Sequence, residues 1–175
     1  LLIGAHYDTV ENSPGADDNA SGVAAVIDLA CRIMGIETNL AYRFVFFDKE
    51  EHGLLGSKAY AQNRANRENL IGAIILEMIG SKCKRIGCQQ WPAQIPNWMR
   101  RQPGDFIAIV GDMSRPDLMT AFSKGGSKNR PPIHIIPVAR AGADFPDSRR
   151  SDHAPFWDHG IDAVMVTDTG DFRNK

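Results

Sequence analysis

The sequence predicts an α/β fold: a twisted, mixed but mostly parallel sheet sandwiched between helices. Three observations predict it. Short apolar runs alternate with stretches whose apolar residues recur at helical spacing, the pattern of strands joined by helical crossovers. Several of those runs are apolar throughout rather than at alternate positions, as strands buried on both faces are. The composition is that of an ordinary globular chain, with 175 residues, 43% hydrophobic and 23% charged.

The elements follow in order. Residues 1–5 are a short buried strand. Residues 17 to about 34 form an amphipathic helix, because Val23, Val26, Ile27, Ala30, Cys31 and Met34 recur at three- and four-residue steps. Asp17, Asp18 and Asn19 are its candidate N-caps. Residues 42–47 are dense in aromatic and branched side chains, a buried strand. Residues 55–66 read as a helix and 71–76 as another buried strand. Residues 81–102 hold Trp91, Pro92, Pro96 and Trp98 with little periodicity and form a long loop, and such loops often carry function. After them come a strand over 106–110, a short helix over 116–122, a strand over 133–138 and a loop over 139–150. A helical turn over 154–159 and a last strand over 161–167 complete the set. No repeat, low-complexity segment or long linker divides the chain, so 1–175 is a single domain.

Lys and Arg number 20 and Asp and Glu 21, a formal charge of −1. Without a basic excess the chain has no electrostatic grip on nucleic acid or on an anionic membrane surface. No apolar run reaches the ~18 residues that a membrane helix needs. Three cysteines cannot make a disulfide framework. Three free thiols are expected, with a Cys83–Cys88 bridge as the alternative. The sequence starts inside a strand pattern and ends in a polar stub over 171–175, so it is expected to be part of a longer chain.

Sites in parallel-sheet folds form at the carboxyl ends of strands, and polar clusters gather there. His6-Tyr7-Asp8 follows the first strand, and Gly15-Ala16-Asp17-Asp18-Asn19 comes soon after. Asp48-Lys49-Glu50-Glu51-His52-Gly53 follows the second, Glu77 ends the third, and Ser151-Asp152-His153 precedes the last helical turn. Imidazoles with carboxylates are the ligand set of zinc and similar divalent ions. So many acids at one edge need positive charge, or several of them would protonate. Two metal ions sharing a carboxylate would supply it. Singly, most of these groups have ordinary structural uses. Asp17 or Asp18 could cap a helix, Glu50 and Glu51 could sit in a solvated first helical turn, and His6 could be a hydrogen-bonded histidine. Glu77 is harder to place, since a carboxylate straight after an apolar run is costly unless paired. His52, His134 and His159 lack such acidic company and are expected to be structural.

Four runs resemble the co-catalytic di-zinc exopeptidase family, which includes bacterial leucyl aminopeptidases, glutamate carboxypeptidases and glutaminyl cyclases. They are His6-Tyr7-Asp8, Pro14-Gly15-Ala16-Asp17-Asp18-Asn19-Ala20-Ser21-Gly22, Phe46-Phe47-Asp48-Lys49-Glu50-Glu51-His52-Gly53-Leu54-Leu55-Gly56-Ser57 and Ser151-Asp152-His153-Ala154-Pro155-Phe156-Trp157. The likeness covers almost the whole chain, in the expected order. It implies two zinc ions per chain. His6 and Glu77 would bind one, Glu51 and His153 the other, and Asp18 would bridge them. Glu50 would be the general base, and Asp8 would accept a hydrogen bond from His6 and fix its tautomer. The implied activity is hydrolysis of a terminal peptide bond, in first place as an aminopeptidase, by a zinc-bound water that Glu50 activates. The implied partner is a peptide substrate, and the implied location is the periplasm or the cell exterior. Many aminopeptidases of the family carry Asp where this chain has Glu77, and the longer arm bears on where the metal sits. Against the family pattern the sequence is expected to be truncated at both ends.

Two rival readings share the fold. A glutaminyl-cyclase-type acyltransferase would use one zinc and cyclise an N-terminal glutamine, but the Glu50–Ser57 run resembles the peptidase branch. A non-catalytic peptidase-like binding domain would have lost its ligands, whereas every ligand position and the base are filled here. The loops 81–102 and 139–150 are expected to wall the substrate cleft. Trp91 and Trp98 would line an apolar pocket there or else cover the core.

Overall fold

Leu2–His6 (β1) is buried along its whole length because it has a neighbour on each side. It pairs in parallel with Arg43–Phe47 (β2) and with Ala73–Glu77 (β3). Next to β3 lies Ala163–Thr167 (β6), also parallel. Ile107–Asp112 (β4) runs antiparallel to β6 and parallel to Ile133–Val138 (β5). The sheet order is β2-β1-β3-β6-β4-β5, so the expected mixed, mostly parallel sheet is observed. The structure is a computed structural model that describes residues 1–97, 100, 102–124 and 130–174. Trp98 lies outside the described residues.

The pleat sends successive side chains to opposite faces, and each face has its own helical cover. Ile75, Val110 and Met165 pack with Ala61 of Leu55–Gln62 (α2) and with Phe156 and Trp157 of Ala154–Asp158 (α5). Leu76, Ile109, Val164 and Val166 pack on the other side. There they meet Val26 of Gly22–Ile33 (α1) and Met119 of Asp117–Lys124 (α4). Ile75 and Ile109 are fully buried. Each contributes about 2 kcal/mol of transfer free energy, and truncation of either to Ala would cost about 2–5 kcal/mol. Among the described residues no helix is long and apolar enough to cross a membrane.

Three local expectations need correction. The helix expected from residue 17 begins at Gly22. Ala16–Ser21 form a tight turn instead, with non-helical backbone at Asp18 and Asn19 and a cis peptide between them. The buried Asn19 side chain sets this turn: its amide donates to the Leu76 carbonyl at 3.0 Å, and its oxygen accepts from the Met78 N–H at 3.0 Å. A buried amide stays buried only with both ends satisfied. Gly22 allows α1 to start this close to β3, since a Cβ there would lie 2.7 Å from the Leu76 carbonyl oxygen. Asp17 and Asp18 are therefore not N-caps. The helix expected over 55–66 is two helices, α2 and Arg64–Arg67 (α3), because Asn63 caps the second by accepting from the Ala65 N–H at 3.0 Å. Cys83 and Cys88 are disulfide-bonded, not free, and only Cys31 is free. A turn closed by the Cys88 N–H on the Arg85 carbonyl folds the chain back and brings the two Cα atoms to 6.2 Å.

Candidate metal centre and substrate cleft

The parallel register brings the candidate residues to one edge. His6 stands opposite Phe47, and Glu77 opposite Thr167. The chain leaving Phe47 folds into a closed turn over 48–56. The N–H groups of Gly53 and Leu54 donate to the Glu50 carbonyl at 2.9 and 2.8 Å, and that of Gly56 donates to the Asp48 carbonyl at 3.0 Å. Gly56 is required there, since a Cβ would lie 2.3 Å from the Asp48 carbonyl oxygen. The turn holds Glu50 buried and Glu51 half-buried beside the strand ends.

His6 is 1% exposed. Its Nδ1 lies 3.0 Å from the Asp8 backbone carbonyl. A carbonyl only accepts, so Nδ1 carries a hydrogen and Nε2 is the nitrogen turned to the carboxylates. Nε2 sits 3.2 Å from Asp18 Oδ1 and 3.3 Å from Glu77 Oε1. Burial pushes the His6 pKa down, but these two acids outweigh it and raise the pKa to about 12. Asp8 thus accepts from His6 through its backbone oxygen, with its carboxylate 3.5 Å away. That carboxylate instead accepts from the backbone N–H groups of Glu50 and Glu51, at 3.0 and 3.3 Å.

Among the described residues, His6, Glu50 and Glu77 are the group whose ligand atoms all lie within 4.8 Å of one another. Asp18, Glu51 and His153 form no group that tight. They share a different property. Asp18 Oδ1, Glu51 Oε1 and His153 Nδ1 are buried atoms with no hydrogen-bond partner among the described residues, Asp18 having only its charge contact to His6. The His153 ring is fully buried, edge-on to Trp157 with centroids 4.4 Å apart, and its Nε2 donates to the Ser148 carbonyl at 2.7 Å. Burial lowers its pKa to about 4, so the ring is neutral and Nδ1 offers a lone pair. Burial, and then the charge of Glu77, raises the Glu50 carboxyl to about 9. Burial, and then Asp18, raises Glu51. A buried polar atom left unpaired costs about 1–3 kcal/mol, and a cation beside Asp18 and Glu51 would satisfy theirs; His153 is not among the residues that line the cleft with them. Neutral imidazole nitrogens with carboxylate oxygens are the donor set of zinc. The second nitrogen of each ring held by a backbone carbonyl is the usual support of a ligating histidine. The residues present fit zinc.

A cleft opens beside these groups. Its lining runs from Asp18, Glu50, Glu51 and Glu77 to the apolar side chains of Trp91, Ile95, Ile136, Phe145 and Met165. Both expected loops thus contribute walls, Trp91 and Ile95 from 81–102 and Phe145 from 139–150. Arg150, paired with Asp171 at 2.8 Å, is the one basic side chain among the lining residues.

The sequence profile of peptidase family M28 matches residues 1–174. The chain belongs to peptidase family M28. M28 peptidases are generally zinc-dependent. YfbL of Escherichia coli (strain K12) is 32% identical over 188 residues, which cover 100% of this chain and 57% of YfbL. Aminopeptidase YwaD of Bacillus subtilis (strain 168) is 39% identical over 166 residues, 94% of this chain and 31% of YwaD. The solved aminopeptidase from Aneurinibacillus sp. strain AM-1 superposes with a TM-score of 0.64 at 28% identity, over 95% of this chain and 34% of that one. The chain thus spans about half the length of YfbL and about a third of the other two.

Two buried residues of this M28 centre had no role in the sequence reading. Ser151 Oγ donates to Glu77 Oε2 at 2.6 Å. Asp152 has no exposed surface, and burial raises its carboxyl to about 7 against the lowering effect of the Ser57 hydroxyl beside it. Both stand in the Ser151-Asp152-His153 run, but a run in a turn carries no periodicity to say where each side chain points. His52 and His159 are exposed, and His134 packs edge-on against Phe106 with centroids 4.4 Å apart. None of the three joins the centre.

Proposed function

We propose that the chain is the catalytic part of a zinc aminopeptidase that removes the first residue of a peptide. One observation carries the reading: buried, unpartnered carboxylate atoms of Asp18 and Glu51 line one apolar cleft with Glu50 and Glu77, and His6 lies against Asp18 and Glu77. In this reading His6, Glu77 and Asp18 hold one ion, and Glu51, His153 and Asp18 the other. Zinc held there supplies Lewis acidity and makes water easier to deprotonate.

The chain's own residues do the rest. Glu50 is left over once five groups serve as ligands, and its carboxylate takes the proton of the attacking water and returns it to the leaving amine. A cation held beside Glu50 would favour its ionised, proton-accepting form. Trp91, Ile95, Ile136, Phe145 and Met165 receive an apolar terminal side chain and exclude water from it. Apart from the acids assigned to the metals and to the base, Asp147 and Asp171 line the cleft against the single guanidinium of Arg150. That field attracts a free α-ammonium and repels a free α-carboxylate, which favours an aminopeptidase over a carboxypeptidase. The Cys83–Cys88 disulfide supports an oxidising location such as the periplasm or the cell exterior.

The test is a panel of aminoacyl amides, N-acylated amino acids and glutaminyl peptides, each assayed with added zinc. Hydrolysis that requires a free α-amine is the expected result. Cleavage of N-blocked substrates alone, or cyclisation of glutaminyl peptides without hydrolysis, would overturn the reading.

A further inference from the structure

Glu77 uses its two oxygens differently. Oε1 faces His6 Nε2 at 3.3 Å, and Oε2 accepts from Ser151 Oγ at 2.6 Å. Ser151 has no exposed surface, so no water competes for that bond. A hydroxyl donating to an ionised acceptor at this distance makes one of the stronger hydrogen bonds available to a side chain. The same residue acts a second time through its backbone, since its carbonyl accepts from the Ala154 N–H at 3.0 Å, at the start of α5. His153 sits between these two anchors. Ser151 therefore joins the strand that carries Glu77 to the turn that carries His153, across 74 positions of sequence.

We propose that Ser151 is a positioning residue of the metal centre: its hydroxyl occupies Glu77 Oε2 and leaves Oε1 alone to serve the metal. This rests on the zinc reading above. The added methylene of Glu over Asp has a use here, because the carboxylate must reach His6 and Ser151 at once. Without the hydroxyl Glu77 Oε2 loses the hydrogen bond that fixes it, and among the described residues the carboxylate is then held by the His6 contact at Oε1 alone. Partners that orient a ligand in this way typically account for about 10–100-fold in metal affinity.

The experiment measures zinc affinity by chelator competition on wild type, Ser151→Ala, Glu77→Asp and the double variant, with the metal-free melting temperature of each as a folding check. Ser151→Ala is expected to weaken zinc binding about 10–100-fold while the metal-free protein still melts cooperatively. In the Glu77→Asp background the shorter arm cannot reach Ser151, so Ser151→Ala should change affinity by no more than about twofold, the scatter of independent sites. Equal losses in both backgrounds, or no loss in either, would overturn the proposal. If wild type itself binds no zinc, the metal reading fails along with it, and that outcome is visible before any variant is measured.

Discussion

The Glu50 backbone N–H donates to the Asp8 carboxylate at 3.0 Å, so the residue that orients His6 also holds the turn bearing both glutamates. Asp8→Ala removes the acceptor from two N–H groups, each costing about 1–3 kcal/mol if left unpaired in the interior. Aminopeptidase activity at saturating zinc should fall about 10–100-fold. Asp8→Asn keeps one acceptor oxygen and should fall between that variant and wild type. Wild-type kcat and melting temperature in Asp8→Ala would show that the bond does not position Glu50.

The metal-free chain should lose stability as pH rises. Three buried groups have folded pKa values above their ordinary ones: Glu50 at about 9 from 4.5, Asp152 at about 7 from 3.8, and His6 at about 12 from 6.5. In each window the folded chain keeps a proton that the unfolded chain has released. The stabilisation is complete below the ordinary pKa and is lost as pH climbs through the raised one. Between pH 7 and 9, Glu50 and His6 act in the same direction. Thermal melts in excess chelator should show a lower midpoint at pH 9 than at pH 7. Zinc should shrink the difference, because a cation favours ionised carboxylates and an unprotonated His6 nitrogen. A midpoint that is flat or rises with pH in chelator would contradict this.

Trp91 is wall and cover together. Its ring stacks on Phe106 with centroids 5.3 Å apart and planes 10° from parallel, while it also lines the cleft. Trp91→Ala should raise KM for leucyl and methionyl amides more than for alanyl amide, eroding discrimination by about tenfold, the worth of a few pocket contacts. Trp91→Phe keeps the stack and should retain most of it. If both variants melt early but leave the leucyl-to-alanyl ratio of kcat/KM unchanged, Trp91 serves the core alone.

Strand positions and the site edge were legible because β1, β3 and β6 are interior strands whose every exposed position would be a cost; the order of the strands in the sheet was not. Their apolar runs, and a Glu77 stranded at the end of one, could mean little else. Asp18 was legible as a site residue but not in its backbone, since the Asn19 bonds that break the helix there reach β3, 57 positions away in sequence. Which oxygen of Asp8 meets His6 was not legible for a related reason: a backbone carbonyl can do the same work as a side chain, and sequence does not distinguish them. Ser151 was invisible as a partner of Glu77 because the contact exists only once β3 and the turn before α5 are packed. The Cys83–Cys88 pairing hung on a local turn that the loop's composition does not specify.

Glu50 and Glu51 are adjacent, yet the turn over 48–56 buries the first and leaves the second half-exposed with an unpartnered oxygen. In the proposed reading the first is the base and the second a ligand. Glu50→Gln keeps the size and the hydrogen-bonding reach of the side chain but accepts no proton, and loss of general-base catalysis typically costs about 10²–10⁴-fold. Zinc content should stay near wild type. Glu51→Gln should lose zinc first and activity as a consequence, with partial recovery at high zinc. The close approach of Glu50 to His6 and Glu77, with ligand atoms within 4.8 Å, sets up the competing outcome. If Glu50 were itself a ligand, Glu50→Gln would come out of purification as poor in zinc as Glu51→Gln. If Glu50 were a solvated turn residue, kcat would hardly move. Metal content by atomic absorption and kcat on a leucyl amide, measured on both variants, separate the three cases.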